Sequence, residues 1–252
     1  MKKKIKIGVF KFTGCAGCQM ELLRLEEEFL TLLQFLDVEY WAMVSSKAFK
    51  DKLDVSFVEG SISTPREIEE IKNIRGRSRL LVALGDCAIT GCIPSIRNWI
   101  DQNEAEKEVY EHPEWIESVK LLSISEHVKV DISLPGCPPH RRTFLEVVKA
   151  ALMEVNPQFR GHAVCIECKL NDNTCLLTAE SLPCMGPVTK AGCGAICPSL
   201  NRICENCYGA ISDANARSLA QILEEAGLSK DDVTRKFRKY AGMTPELKEE
   251  AE

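Results

Sequence analysis

No stretch of this 252-residue chain approaches eighteen consecutive apolar residues, the length a membrane-crossing helix needs. A surplus of positive charge is missing too. Thirty-two Lys and Arg stand against 37 Asp and Glu, for a formal charge of −5, which gives no electrostatic footprint for nucleic acid or an anionic membrane surface. Nor is a cleavable leader legible. "MKKKIKIGVF" is basic and then apolar, but Lys6 and Lys11 cut the run short, no cleavage site follows, and there is no twin-arginine motif. The expected location is therefore the cytoplasm. No internal repeat stands out. Cysteine is the contrast: the chain has thirteen, an odd number. In a reducing compartment thiols at this density point to metal ligands and away from disulfides.

The chain changes character at about residue 160. Before it, short β-branched or apolar runs recur: "IKIGVF" (5–10), "VEYWAMV" (38–44), "DVSFVEG" (54–60), "RLLVALG" (79–85) and "VKVDISLPG" (128–136). Helical patterns separate them. In "QMELLRLEEEFLTLLQFL" (19–36), Leu22, Leu25, Phe29, Leu32, Leu33 and Leu36 form one stripe. "STPREIEEIKNIRG" (63–76) opens with Ser63 and Thr64 as caps, Pro65 in the first turn and Glu67 behind it, and Gly76 reads as its stop. Such alternation predicts an α/β domain over 1–160, a flavodoxin-like doubly wound parallel sheet. Residues 161–252 read as a second domain. Its first part, 161–211, alternates Cys with Gly, Pro, Asn and Thr and buries too little to fold unaided, so metal binding must supply folding free energy. A polar helix over about 213–226 and a charged tail, "RKFRKYAGMTPELKEEAE", finish the chain; the tail reads as a solvated helix or a frayed end.

The thiols fall into groups. Cys15 and Cys18 ("CAGC") follow the first strand, Cys87 ("LGDCAITGC") the fourth and Cys137 ("LPGCPP") the fifth. Sites in open α/β sheets assemble beyond the carboxyl ends of the strands, so these four converge on one edge, as zinc or a [4Fe–4S] cube would require. A thioredoxin-like pair at Cys15 and Cys18 is the alternative, but it leaves Cys87 and Cys137 unexplained. Cys92, five residues after Cys87, reads as a structural or spare thiol. Eight more divide by spacing into Cys165-x2-Cys168-x6-Cys175-x8-Cys184 and Cys193-x3-Cys197-x6-Cys204-x2-Cys207. Two zinc ribbons or two clusters would suit them. His162, in "HAVC", could replace Cys168 as a ligand, although a loop histidine is the plainer reading. His140 reads as surface or as a neighbour of the site. Glu59 reads as an edge residue bonding a loop or as a carboxylate on a proton path.

Taken together and in order, "CAGCQMELL", "VEGSIST", "GDCAITG", "PGCPP" and "CMGPVTKAGC…CPSLNRICENC" resemble the small subunit of [NiFe] hydrogenases, the delta subunit of cytosolic sulfhydrogenase and NADP-linked types in particular. The resemblance implies three [4Fe–4S] clusters: a proximal one on Cys15, Cys18, Cys87 and Cys137, a medial one on Cys193, Cys197, Cys204 and Cys207, and a distal one on Cys165, Cys168, Cys175 and Cys184. It implies a hydrogenase large subunit carrying the nickel–iron site, so no catalytic residue is expected in this chain. It also implies flavin or iron–sulfur electron-transfer partners, leading to a nicotinamide or sulfur acceptor. Ala16 departs from a common Thr, Asp86 from another Thr and Cys92 from a common Gly, and the distal set is all cysteine where relatives often use histidine. Related alternatives are a hydrogenase-type subunit feeding heterodisulfide reductase and a complex I-like cluster subunit. The spaced "CAGC" and the eight-cysteine extension set the chain apart from the latter. A zinc-stabilised scaffold is the non-redox alternative.

Overall fold

The computed structural model describes residues 4–49, 51–153, 155, 157, 159 and 161–252. Met1–Lys3 and the expected boundary at residue 160 lie outside them. Contacts divide the chain into two compact units, Met1–Pro157 and Gln158–Glu252.

The first unit alternates strand and helix: β1 (Ile5–Lys11), α1 (Gly17–Leu23), α2 (Glu27–Leu32), β2 (Leu36–Trp41), β3 (Leu53–Glu59), α3 (Pro65–Gly76), β4 (Ser78–Leu84), α4 (Asp86–Thr90), α5 (Gln102–Val109), β5 (Ile132–Leu134) and α6 (Arg141–Met153). All the strands pair in parallel, in the order β2-β1-β3-β4-β5, the flavodoxin-like arrangement with its switch point between β1 and β3. Successive side chains of a strand point to opposite faces, so each face acquires its own core. Ile7, Val9, Val55, Phe57, Val82 and Leu84 pack with Leu22, Leu25, Leu32, Phe144 and Val147. Phe10, Val58, Leu81 and Ala83 pack with Ile71, Ile74 and Ala88 on the other side.

Local signals explain α3. Thr64 accepts from the Glu67 N–H, Glu67 bonds back to the Thr64 N–H, and Pro65 begins the first turn, a complete capping box. Gly76 is the helix's last residue and Arg77 its cap, so the glycine does not act as the stop. The single helix expected over 19–36 is broken. Glu26 takes a left-handed φ of 47° between α1 and α2, and Leu36 already begins β2. The fifth strand keeps only Ile132–Leu134 of the expected 128–136.

The second unit holds α7 (Val164–Leu170), α8 (Leu176–Ala179), α9 (Ala216–Glu225), α10 (Lys230–Arg238) and α11 (Lys248–Ala251). Short antiparallel bridges, Ala163 to Lys190 and Thr189 to Ala210, join its loops. The charged tail is not frayed. Phe237, Ala241, Leu247 and Ala251 are fully buried, because the apolar stripe of α10 packs against α9 and α11, while Lys236 of α10 pairs with Glu205 at 3.0 Å.

Candidate metal centres

At the carboxyl edge of the sheet, the segments after β1, β4 and β5 that bear Cys15, Cys18, Cys87 and Cys137 are fastened to one another. Thr13 and Ser61 exchange backbone hydrogen bonds at 3.0 and 2.8 Å, linking the loops after β1 and β3. Ser61 Oγ donates to the carbonyls of Cys87 (2.9 Å) and Gly91 (3.2 Å), linking β3 to β4. The Gly85 and Asp86 N–H groups donate to the Leu134 and Gly136 carbonyls, each at 2.9 Å, linking β4 to β5. Gly85 lies at φ 82°, and a Cβ built on it would stand 2.2 Å from Cys18 Sγ. Only glycine lets the sulfur settle there.

Cys18 is buried. Burial first, then the charges of Glu59, Cys87 and Cys137, push its thiol far above the ordinary range. Cys87 and Cys137 are therefore near enough to act on Cys18. The fourth, Cys15, is exposed in the turn before Cys18 and accepts the Gly17 N–H at 3.3 Å. Cys92 is not a bystander. It is fully buried and hydrogen-bonds the Cys137 and Cys87 sulfurs, and its bond draws the Cys137 thiol down to about 7. The sequence signal was its spacing from Cys87, which cannot say which way the side chain turns. Glu59, 2% exposed, accepts the Cys18 N–H at 3.1 Å and the Gln19 amide at 2.9 Å. Gln19 in turn accepts the Trp41 indole N–H at 2.7 Å. Glu59 thus bonds a loop, and it fixes the backbone at Cys18.

In the second unit, α7 carries Cys165 and Cys168, Cys175 caps α8, and Cys184 lies in an irregular stretch after it. Burial, then the neighbouring Cys184, Cys168 and Cys175, push Cys165 up to about 11. These are the four thiols grouped by spacing. A Cβ on Gly186 would lie 3.0 Å from Cys165 Sγ and 3.6 Å from Cys184 Sγ, so the glycine leaves room for both. Cys175 is exposed and lowered by the Thr178 hydroxyl. Asn173 Nδ2 lies 3.7 Å from Cys168 Sγ.

Among the remaining four, burial raises Cys193, with Glu167 and Cys197 adding to the rise and the N–H groups of Ala195 and Ile196 opposing it. Cys204 is pushed up to about 12, chiefly by burial, with Cys184 and Cys193 adding to it. The Cys204 N–H donates to Cys184 Sγ at 3.3 Å, so the two groups of four adjoin there. His162 is half-buried, its Nδ1 3.1 Å from its neighbour's carbonyl, Ala163 O. His140 stands before α6, where its Nδ1 accepts the Arg142 N–H at 3.3 Å.

Thiols that raise one another's pKa ionise together only when a cation offsets their charge. The donor set is soft sulfur throughout, glycines vacate space beside the sulfurs, and Asn206, between Cys204 and Cys207, carries a buried amide with no partner among the described residues. These features fit iron–sulfur clusters. Also among the described residues, no three His, Cys, Asp or Glu side chains gather tightly enough for a single metal ion, and no helix is long and apolar enough to cross a membrane.

Comparison with known proteins follows the same residues. The family described as NADH ubiquinone oxidoreductase, 20 Kd subunit, matches residues 15–151. Sulfhydrogenase 2 subunit delta of Pyrococcus furiosus is 36% identical over 240 residues, spanning 94% of this chain and 99% of that one. A subunit of the vhu F420-non-reducing hydrogenase of Methanocaldococcus jannaschii is 31% identical over 256 residues, 88% of each chain. Among solved structures, a chain of an NAD+-reducing [NiFe]-hydrogenase in the H2-reduced state matches with a TM-score of 0.59 at 26% identity, over 63% of this chain and 96% of that one.

Proposed function

The chain belongs to the small-subunit family of [NiFe] hydrogenases, and from that premise we propose that it conducts electrons through three [4Fe–4S] clusters, to or from a nickel–iron site held by a separate large subunit. It is thus a subunit of an oxidoreductase, in which it transfers electrons and does not itself activate hydrogen. When bound, each cluster supplies a one-electron store whose potential the surrounding protein sets. Cys15, Cys18, Cys87 and Cys137 would hold the proximal cluster, Cys193, Cys197, Cys204 and Cys207 the medial, and Cys165, Cys168, Cys175 and Cys184 the distal. On this reading residues 1–160 form the flavodoxin-like domain with one cluster and residues 161–252 the domain with two. The observation that carries the proposal is the gathering of thiols around Cys165: Cys184, Cys168 and Cys175 all act on it, and Gly186 leaves space beside both the Cys165 and the Cys184 sulfurs.

This chain's own residues do the holding. Glu59 fixes the Cys18 backbone, Cys92 donates to the Cys87 and Cys137 sulfurs, and the left-handed Ala16 and Gly85 bring the backbone close to the cluster edge. A flavin or iron–sulfur partner would exchange electrons at the distal end, where Cys175 is exposed. The likeness to an NAD+-reducing enzyme supports a nicotinamide acceptor, and the likeness to a sulfhydrogenase supports a sulfur acceptor. We place the complex in the cytoplasm. The zinc-scaffold reading is disfavoured because zinc needs its thiolates drawn into one tight tetrahedron.

The test is iron, acid-labile sulfide and zinc per chain after anaerobic purification. About twelve iron and twelve sulfide are expected for three cubanes; zinc without sulfide overturns the proposal. Cys137→Ser should then cost the proximal cluster and block hydrogen-driven dye reduction, while the outer clusters stay visible by EPR. Cys92→Ser keeps a donor and should keep its iron; loss of about four iron atoms there would make Cys92 a ligand in place of Cys87.

A further inference from the structure

Asn206 stands between Cys204 and Cys207 in "ICENCYG". Its φ of 68° lies in the left-handed region, which asparagine tolerates better than most residues. Its backbone is fully engaged: the N–H bonds the Cys204 sulfur, and the carbonyl accepts the Gly209 N–H at 3.2 Å. Its side chain is not. Asn206 is 1% exposed, yet among the described residues neither Nδ2 nor Oδ1 has a hydrogen-bond partner. A buried amide in that condition loses its hydration and gets nothing back. A leucine of similar size would fill the same space without that cost, so the place calls for something polar to face the amide. The thiols on either side of it are the ones assigned above to a cluster.

Resting on that assignment, we infer that Asn206 donates its side-chain N–H to a sulfur of the cluster held by Cys193, Cys197, Cys204 and Cys207, and thereby raises that cluster's reduction potential. The amide can be turned either way, but only the Nδ2 end complements an electron-rich sulfur. Reduction adds one negative charge to the cluster, and an N–H aimed at sulfur stabilises the reduced form more than the oxidised one. Asn206 itself carries no electron; its N–H tunes the cluster that does. Asn173 offers a contrast near the other outer group: its Nδ2 is close to Cys168 Sγ but also donates to Ser199 Oγ at 3.0 Å, so its amide has a protein partner.

The experiment uses the full chain purified anaerobically with its native partner subunits. Iron and sulfide are measured first on the unaltered complex; absence of sulfide removes the cluster reading itself, and this inference with it. With clusters present, Asn206→Leu is titrated by EPR. One outer-cluster signal should fall in potential by on the order of tenfold in its reduction equilibrium, about 59 mV for one electron, while iron content and the other two signals stay in place. Full iron with every potential unmoved overturns the Asn206 assignment and leaves the clusters standing. If Asn206→Leu loses iron, Asn206 is left intact and the neighbouring amide is removed by Asn173→Ser, with asparagine supplied as the side-chain 15N form. A 15N coupling on the outer-cluster signal in pulsed EPR is then expected, and its absence overturns the proposal.

Discussion

The two units hold their thiols in different ways. In the sheet unit, Cys18 and Cys87 sit in the short helices α1 and α4 and Cys137 in a loop, each directly after a strand with a core on both faces, and the fastening is backbone to backbone: Thr13 to Ser61, Gly85 to Leu134, Asp86 to Gly136. In the second unit, the thiols ride on helices of seven and four residues, α7 and α8, and on turns with left-handed residues at Asp172, Ser181, Ala195, Asn201 and Asn206. Helices as short as these are not stable alone in either unit, but α1 and α4 bury Leu22 and Ala88 in the cores of the sheet, whereas the second unit has no named strand among the described residues. On the proposed reading, the difference teaches that one site would be prepared by the fold, whereas the other would need its metal as part of the fold.

The most forceful way to break this comparison is to take the iron away. Anaerobic chelation should strip hydrogen-exchange protection from residues 161–211 while β1, β3 and β4 keep theirs; loss in both units together would erase the distinction. Phe237→Ala probes the apolar part of the second unit, since Phe237 is fully buried. A loss of about 3–5 kcal/mol is expected in denaturant unfolding of that unit, showing that its carboxyl-terminal helices contribute stability apart from the clusters. Gly85→Ala probes the prepared site. The added methyl would collide with Cys18 Sγ at a backbone angle that alanine resists, so about four iron atoms should be lost by metal analysis with little change in far-UV circular dichroism. The smallest effect is expected from acid. Burial works to raise the Asp131 carboxyl, but the Leu81 N–H and the Arg75 guanidinium prevail and hold it below the usual carboxylate range. Its contribution is therefore present above the unfolded value, about 3.9, and lost as pH falls through the lower folded value. Unfolding of the sheet unit should show this fall, and Asp131→Asn should flatten it.

The sheet, its crossovers and the α3 capping box were legible in the sequence because each rests on short-range chemistry: alternating apolar runs, Thr64 with Glu67, Pro65 in the first turn. The break at Glu26 was not. Leu22, Leu25 and Leu32 all bury on the same face of the sheet, so the helical stripe continues in sequence across a kink that separates α1 from α2. The tail was misread for a related reason. Its charged residues, of both signs, dominate the composition, while Phe237, Leu247 and Ala251 are buried through packing among separate helices that no local window captures. Position after the strands grouped four thiols and spacing divided eight more, and Cys165 feels the three partners that spacing gave it. What spacing could not convey was orientation: Cys92 turning inward to Cys87 and Cys137, and Asn206 left without a partner.

The mesh of loops at the sheet edge bears on speed as well as on assembly. Glu67 adds to it, accepting from the Thr13 and Ser63 hydroxyls and from the Ser63 and Thr64 N–H groups. An electron moving through a protein waits until the surrounding atoms have shifted to suit the new charge. Where those atoms are already held by fixed dipoles, little shifting is needed. With a cluster held as proposed by Cys15, Cys18, Cys87 and Cys137, an edge cross-tied in this way would favour a low reorganisation energy, so that charge could come and go with little movement of the sulfurs.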